Sequence, residues 1–213
     1  MRAITILLNA AVLAALLAGC AQPAFQNQPA AEFPGDDLYP VRGTGFREAY
    51  ARQDADLAQY RAVVIEPLQL DHTQLMSAGG SGVAGVNWQI TPKRAEVLGR
   101  EWLNAMNWAF AGYSREGSSK KALRITAALT RVVQRGAVSS GLGNAGSLPI
   151  VSGETADVFM EWRLYDQAGG ELLGVVRDDQ SIPAPQWSLA DGANMANLFR
   201  PWAALLHTRV SGR

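Results

Sequence analysis

The chain of 213 residues contains one cysteine, Cys20, and only two histidines, His72 and His207. A single cysteine cannot close an internal disulfide, so a folded domain must be stabilised by its apolar core. Zinc sites need several clustered cysteine, histidine or acidic ligands, and this small supply argues against one. The sequence therefore predicts no metal site and no cofactor.

An excess of either charge is also missing, because 19 Lys and Arg residues balance 19 Asp and Glu residues. Proteins that bind nucleic acids usually carry a basic patch, so we predict no nucleic acid partner. The segments 80–85 and 141–146 match the pattern G-x-G-x-x-G. That motif holds a pyrophosphate only where a helix starts at the glycines. Residues 86–92 delay the helix after the first match, and Pro149 precedes a strand after the second, so no nucleotide is predicted.

A long apolar run is absent except near the N-terminus, where residues 4–17 follow Arg2. This run is shorter than the roughly 20 residues that cross a bilayer. A basic start, an apolar stretch and small residues are typical of a secretory signal peptide. The sequence Leu17-Ala18-Gly19-Cys20 resembles the lipobox of bacterial lipoproteins. Residues 1–19 are therefore predicted to be a lipoprotein signal peptide.

The lipobox resemblance implies an anchor and a location. In that class of proteins Cys20 would gain a diacylglyceryl thioether, become the new N-terminus and receive a further acyl chain such as palmitate. Stable anchoring needs more than one chain, at roughly 0.8 kcal/mol per buried CH₂. Ala21 stands where Asp would signal retention in the inner membrane. The resemblance thus implies the outer membrane, facing the periplasm; an ordinary signal peptide with an incidental cysteine is the alternative.

The remaining chain divides into a tether and one domain. Residues 21–45 are rich in proline and glutamine and lack a hydrophobic period. Such composition is typical of a flexible linker, so we predict that residues 20–56 form the lipidated cysteine and a flexible tether. The segment from Phe46 to Tyr60 also has apolar residues near helical spacing. Residues 57–213 are predicted to form a single α+β periplasmic domain.

Apolar periodicity and turn residues predict the elements of this domain. Thr91 and Pro92 are suited to begin a helix. Strict alternation from Ala156 to Leu164 predicts a strand with one apolar face, and Asp166–Gly170 predicts a hairpin turn. Pro201 predicts a kink or a break in the last helix. The predicted elements are strands at 61–68, 123–130, 155–164 and 171–181, and helices from 92 to about 111 and at 190–208.

The order of these elements is β-α-β-β-β-α. A helix between the first two strands predicts a right-handed parallel crossover, and the later strands should pair antiparallel. This order is typical of an α+β fold with a single mixed, mostly antiparallel sheet and helices packed on one face.

Parallel first and second strands would bring the long loops at 69–91 and 136–153 to the same end of the sheet. Loops on a rigid scaffold often carry binding sites. Two alternatives to a binding site remain open: these loops could be mobile connectors that bind no ligand, and a loop tryptophan could fold back onto the core. The residues predicted to form a partner-contact surface there are Trp88, Leu142, Leu148, Ile150 and Trp187.

Three segments resemble a known family. Tyr60–Pro67, Leu123–Thr130 and Glu161–Asp166 are similar to recurring segments of a proteobacterial lipoprotein family known as domain of unknown function 3313. The similarity runs from about Tyr60 to Ser181, although the hairpin turn here has Gly169-Gly170 where the family often has Thr-Gly. The resemblance implies an envelope lipoprotein and supplies no catalytic residues.

The function predicted from the sequence is a non-enzymatic outer-membrane lipoprotein that binds a protein or glycan partner in the periplasm. An accessory subunit of an envelope transport or assembly machine differs from it only in the partner. The alternative from another class is an envelope enzyme, such as a wall-glycan hydrolase using Asp157 and Glu161. Those two carboxylates share one strand face with Arg163, which could pair with either.

Overall fold

A computed structural model describes residues 24–77, 89–115, 121–135, 139–140, 150–151, 154–189 and 192–212. These residues form the predicted α+β fold, with one mixed, mostly antiparallel sheet and helices on one face. The strands are β1 (Ala24–Phe25), β2 (Tyr39–Arg42), β3 (Glu48–Ala51), β4 (Ala62–Gln69), β5 (Gln74–Ser77), β6 (Ala122–Arg135), β7 (Ser139–Ser140), β8 (Ile150–Val151), β9 (Thr155–Asp166) and β10 (Leu172–Pro183). The helices are α1 (Pro92–Ala109), α2 (Ala184–Leu189) and α3 (Gly192–Val210), with a short 3-10 helix at Leu57–Gln59.

The main sheet has the order β1-β2-β3-β10-β9-β6-β4, and β5 pairs with β6 beyond the end of β4. Strands β4 and β6 run parallel, as predicted, with Ala62 level with Ala122. The helix α1 lies between them in sequence and supplies the crossover. The long strands β6, β9 and β10 pair antiparallel and form the centre of the sheet.

The predicted hairpin between β9 and β10 is confirmed. One Asp166 carboxylate oxygen accepts hydrogen bonds from the backbone N–H groups of Ala168 and Gly169, each at 2.8 Å. Gly170 has a φ of 70°, which favours glycine because it lacks a Cβ. The acidic residue and the glycine therefore determine where the chain reverses.

The predicted α1 is confirmed as well, and its N-terminal end follows local chemistry. The Thr91 hydroxyl accepts a hydrogen bond from the Arg94 N–H at 3.2 Å, and Pro92 occupies the first turn. Side chains three and four residues apart are buried against the sheet. They are Val97, Leu98, Trp102, Ala105 and Met106.

Of the kink or break predicted at Pro201, the break is wrong, because α3 continues through this residue. Proline cannot donate to the carbonyl four residues earlier, that of Asn197. Both residues are exposed, so water can reach the freed carbonyl. Meanwhile Leu198 and Trp202 are buried and hold the helix on the sheet. Among the described residues, no helix is both long enough and apolar enough to cross a membrane.

The predicted tether over residues 20–56 is wrong from Ala24 onwards. The helical tendency at 46–60 is wrong at β3, and only Leu57–Gln59 form a short 3-10 helix. Residues 24–56 contribute β1, β2 and β3, and β3 pairs antiparallel with β10. Phe33 and Leu38 are buried although they belong to no periodic pattern. Strands of two to four residues are too short to produce an alternation that sequence inspection can recognise.

The sheet has a buried cluster on each face. The larger one packs α1 and α3 onto the sheet and contains Trp102, Trp162 and Trp202. The smaller one lies on the opposite face, where Phe33 and Leu38 cover Leu172 and Val175. The N-terminal segment thus covers one side of the second face.

Candidate binding surface

The rest of that second face carries polar side chains from the central strands. No described helix or strand lies over it. We call this region the open face, and it is marked by Arg124, Arg131, Glu161, Arg163, Tyr165 and Arg177. Strand alternation places these residues on the face of β6, β9 and β10 that points away from the core. These three strands pair over most of their length and hold the side chains in place.

Glu161 lies at the centre of the open face. One of its carboxylate oxygens accepts from Arg163 Nε at 2.7 Å, and the other accepts from Arg177 Nε at 2.7 Å. Arg177 also contacts Glu32 at 2.7 Å and Glu48 at 3.2 Å. This network therefore joins the central strands to β3 and to the covering N-terminal segment.

The second carboxylate of the open side of β9, Asp157, is also fully engaged. It accepts hydrogen bonds from Arg135 and from the Ser181 hydroxyl, and only 7% of its side chain is exposed. Burial alone would raise the pKa of this carboxyl, but the hydrogen bonds from Arg135 and Ser181 outweigh burial and lower the pKa. Asp157 is therefore held as an anion.

These contacts do not suit a glycosidase pair. Asp157 and Glu161 are four residues apart on one strand, which separates their Cα atoms by about 13 Å. Paired glycosidase carboxyls lie roughly 5 to 9.5 Å apart, and one of them needs a raised pKa to donate a proton. Asp157 has a lowered pKa, and both oxygens of Glu161 are occupied by arginines.

The Asp157 contacts predict a pH-dependent contribution to stability. A carboxyl whose pKa is lower in the folded protein stabilises it above the unfolded pKa of about 3.9, and this stabilisation is lost as the pH falls through the folded value. Because Arg135 is 58% exposed, we expect Asp157→Asn to cost only about 1 kcal/mol at pH 7. The difference from wild type should shrink below about pH 4 in urea unfolding curves.

Glu96→Gln is the matched control, since Glu96 is 76% exposed and makes one long ion pair with Arg100. Its effect should stay within about 0.5 kcal/mol at every pH. A cost of Asp157→Asn that stayed constant from pH 7 to pH 3 would show that its charge is not what stabilises the fold.

Two arginines of the open face lie over aromatic rings. The Arg124 guanidinium carbon is 4.2 Å from the ring centre of Tyr165, and that of Arg131 is 3.9 Å from the ring centre of Phe159. Neither guanidinium makes a direct ion pair with a described residue, although the charge of Arg131 helps to lower the pKa of the Asp157 carboxyl. Cation–π contacts of this kind position a guanidinium without neutralising its charge.

The partner-contact surface that the sequence predicts lies mostly outside the described residues. Cys20, Trp88, Leu142 and Leu148 lie outside the described residues. Ile150 belongs to β8, where it pairs with Ser140.

The prediction for Trp187 is wrong, because its side chain is fully buried in α2 and cannot form part of an exposed contact surface. The Arg94 guanidinium carbon lies 5.3 Å from the Trp187 ring. The segment after Pro183 and Pro185 therefore folds back onto the core, which is the alternative stated above for a loop tryptophan.

Sequence inspection missed the open face as a site, although its signal was present. Arg124 and Thr126 alternate with apolar residues on β6, as Glu161 and Arg163 do on β9. Either strand alone looks like an ordinary solvated face. The distinguishing fact is that the two strands are neighbours, which places Arg124 beside Tyr165 and Thr126 beside Arg163.

Two of the segments that carry the family resemblance meet in space. The Tyr60 hydroxyl donates to an Asp166 carboxylate oxygen at 2.8 Å. Hydrogen bonds from the Gly169 N–H and from Tyr60 lower the pKa of the Asp166 carboxyl. Burial, together with the bond to Asp166, raises the pKa of Tyr60. This contact joins the chain before β4 to the β9–β10 turn, so we assign it a structural role.

No family model matches the chain, and no curated protein matches it either. Among solved structures, the chain is similar to a dodecamer of PelC from Paraburkholderia phytofirmans, at 12% identity, with 72% of this chain and 96% of that chain covered and a TM-score of 0.36. It is similar to a putative neuraminyllactose-binding hemagglutinin homolog from Helicobacter pylori, at 10% identity, 74% and 84% coverage and a TM-score of 0.34. It is also similar to a Xanthomonas campestris protein of the family DUF330, at 13% identity, 89% and 90% coverage and a TM-score of 0.34. The resemblance to domain of unknown function 3313 stays a prediction.

Proposed function

We propose that the chain is a lipid-anchored protein of the outer membrane that faces the periplasm and binds a protein or glycan partner without catalysing a reaction. The observation that carries the binding role is the open face, a polar surface on the central strands that no described element covers. Its contacts support binding more than chemistry, because each of its acidic groups is already paired.

Rigidity of the open face supports this proposal. Its side chains project from strands of 14, 12 and 12 residues that pair with one another along most of their length. Ion pairs and ring contacts hold Arg163, Arg177 and Arg124 in place. Side chains that are ordered before a partner arrives lose less conformational entropy on binding. Such a surface can therefore recognise a partner without rearrangement.

The anchor in this proposal comes from the lipobox at Cys20. Because β1 begins at Ala24, only three residues, 21–23, separate the anchor from the sheet. The four steps along the chain from Cys20 to Ala24 span at most about 14 Å. A lipidated Cys20 would therefore keep the folded domain close to the membrane, in place of the long tether that composition suggested.

The experiment for the anchor is a comparison of wild type with Cys20→Ser in a Gram-negative host. We expect wild type to incorporate labelled palmitate and to fractionate with the outer membrane, and Cys20→Ser to incorporate none and to leave the membrane. Ala21→Asp is the matched control, because it should keep the label and move the protein to the inner membrane. Labelling of Cys20→Ser, or membrane retention without Cys20, would contradict the anchor.

The binding role is tested in the same strains with a photo-crosslinking amino acid. Placed at Thr126 on the open face, it should yield a defined adduct with a protein or a glycan. Placed at Asn107, an exposed position on α1, it should not. Equal adducts from both positions, or none from Thr126, would contradict a binding role for the open face.

A further inference from the structure

A shallow groove crosses the open face between β4 and β9. It has a volume of about 420 Å³. Thr126 and Ala128 of β6 are small and lie between the longer side chains of the neighbouring strands, so they form its floor. Arg124, Arg163, Tyr165 and Gln69 also line it. The groove thus presents two guanidinium groups beside hydroxyl and amide groups, all on backbone that is fixed by strand pairing.

The charge of the groove is not balanced by its own residues. Its single carboxylate, Glu161, gives one oxygen to Arg163 and the other to Arg177. Arg163 uses its Nε for this bond, and 43% of its side chain is exposed. Arg124 makes no direct ion pair with any residue that the structure describes, although Glu66 and Asp71 line the hollow on its other side. Arg124 is therefore left without a carboxylate in direct contact among the described residues.

The spacing of the two arginines suits one anionic group. Arg124 lies opposite Tyr165, and Arg163 lies two residues before Tyr165 on the same strand. Such diagonal neighbours have Cα atoms about 7 to 8 Å apart, which long side chains can bridge from both sides of a bound group. The planar guanidinium matches a carboxylate through two parallel N–H···O bonds.

The surroundings favour a glycan over a peptide as the source of that carboxylate. A peptide strand cannot extend the sheet along β4, because Pro67 has no N–H and the Trp102 indole occupies the Glu66 carbonyl at 3.0 Å. Ser114 pairs with the start of β4, through Arg61 and Val63. Protein partners usually need an apolar anchor, and of the described residues the large exposed apolar ones, Phe25, Met76 and Trp108, do not line the groove.

We propose that this groove binds a carboxylate of an acidic polysaccharide, of the uronic acid type, between Arg124 and Arg163, with Thr126 and Gln69 placed to hydrogen-bond the sugar hydroxyls. This inference rests on the proposed binding role of the open face and names the class of its ligand. It involves no covalent step.

The test uses the full mature chain, purified from membranes in detergent, and polygalacturonate as the probe. Titration calorimetry should show saturable binding to polygalacturonate and none to the same polymer with its carboxyls methyl-esterified. Arg124→Gln and Arg163→Gln should each weaken binding by roughly tenfold or more, since each removes hydrogen bonds to a charged group. Arg124→Lys keeps the charge but loses the planar fork, so its affinity should fall between wild type and Arg124→Gln.

Arg100→Gln is the matched control, because Arg100 lies on α1 away from the sheet and is 49% exposed, close to the value for Arg163. It should bind as wild type does. Equal weakening by Arg100→Gln would indicate general attraction to a polyanion and overturn the proposal, as would equal binding of the esterified polymer or no binding by the wild-type chain. Dextran sulfate serves as a second anion, and binding as tight as that of polygalacturonate would overturn the preference for carboxylate.

Failure here is distinguishable from failure of the proposed function. Labelling of Cys20 and crosslinking from Thr126 report on the anchor and on the open face without any assumption about acidic sugars. A Thr126 adduct with a protein, together with no polygalacturonate binding, would leave the binding role standing and overturn the ligand class.

Discussion

A protein that begins at Leu57 is expected not to fold, whereas one that begins at Ala24 should unfold cooperatively. The shorter protein lacks β1 to β3 and three large buried apolar side chains, Phe33, Leu38 and Phe46. Burying three such side chains contributes about 4.5 to 9 kcal/mol. That amount is comparable to the whole stability of a typical domain, about 5 to 15 kcal/mol.

Loss of residues 24–56 would also expose apolar side chains to water and would leave an arginine and a strand edge without their partners. Leu172 and Val175 would lose the cover that Phe33 and Leu38 provide. Arg177 would lose two of its three acidic partners, Glu32 and Glu48. The edge of β10 would lose its pairing with β3, and an unpaired strand edge invites aggregation.

The measurement is urea unfolding followed by far-UV circular dichroism, on both proteins at the same concentration. We expect a single sigmoidal transition for the protein from Ala24 and no cooperative transition for the protein from Leu57. Cooperative unfolding of both proteins with the same midpoint would show that residues 24–56 are dispensable, as a tether would be, and would contradict a role for β1 to β3 in the fold.

Residues 24–56 lack the repetition that makes an element recognisable in a sequence. Long elements were predictable, because strands such as β9 and helices such as α1 repeat their apolar residues many times. Phe33 and Leu38 are isolated in a stretch rich in proline and polar residues, and only the tertiary partners Leu172 and Val175 make them core residues. Composition reports the average property of a segment and misses single anchoring side chains.

The candidate site was predictable only in part, for a related reason. Strand alternation indicated which residues of β6 and β9 point away from the core. It could not indicate that Glu161 would be held by Arg177 from the next strand, or that Arg124 would rest on Tyr165. These pairings depend on the register between neighbouring strands. Alternation within one strand shows which of its residues share a face, but not which residue of the neighbouring strand lies opposite each of them.

Substitution of Trp102 by alanine should have the largest effect of any single change in the helical layer. Its side chain is fully buried, and its ring centre is 6.1 Å from that of Phe199 in α3. Its indole N–H donates to the carbonyl of Glu66, which has no register partner in β6 because the pairing is irregular there. Trp102 therefore joins α1 to α3 and to β4, and we expect Trp102→Ala to cost about 3 to 5 kcal/mol in urea unfolding.

Two further variants separate the parts of this effect. Trp102→Phe keeps most of the packing but leaves the Glu66 carbonyl without its donor, which should cost about 1 to 3 kcal/mol. Trp108→Ala removes a tryptophan from the same helix that is 59% exposed, so its effect should stay within about 0.5 kcal/mol. If Trp102→Ala cost no more than Trp108→Ala, the contact between α1 and the sheet edge could not be what holds the helical layer in place. If Trp102→Phe cost as much as Trp102→Ala, the hydrogen bond to β4 rather than packing against Phe199 would account for most of the stabilisation.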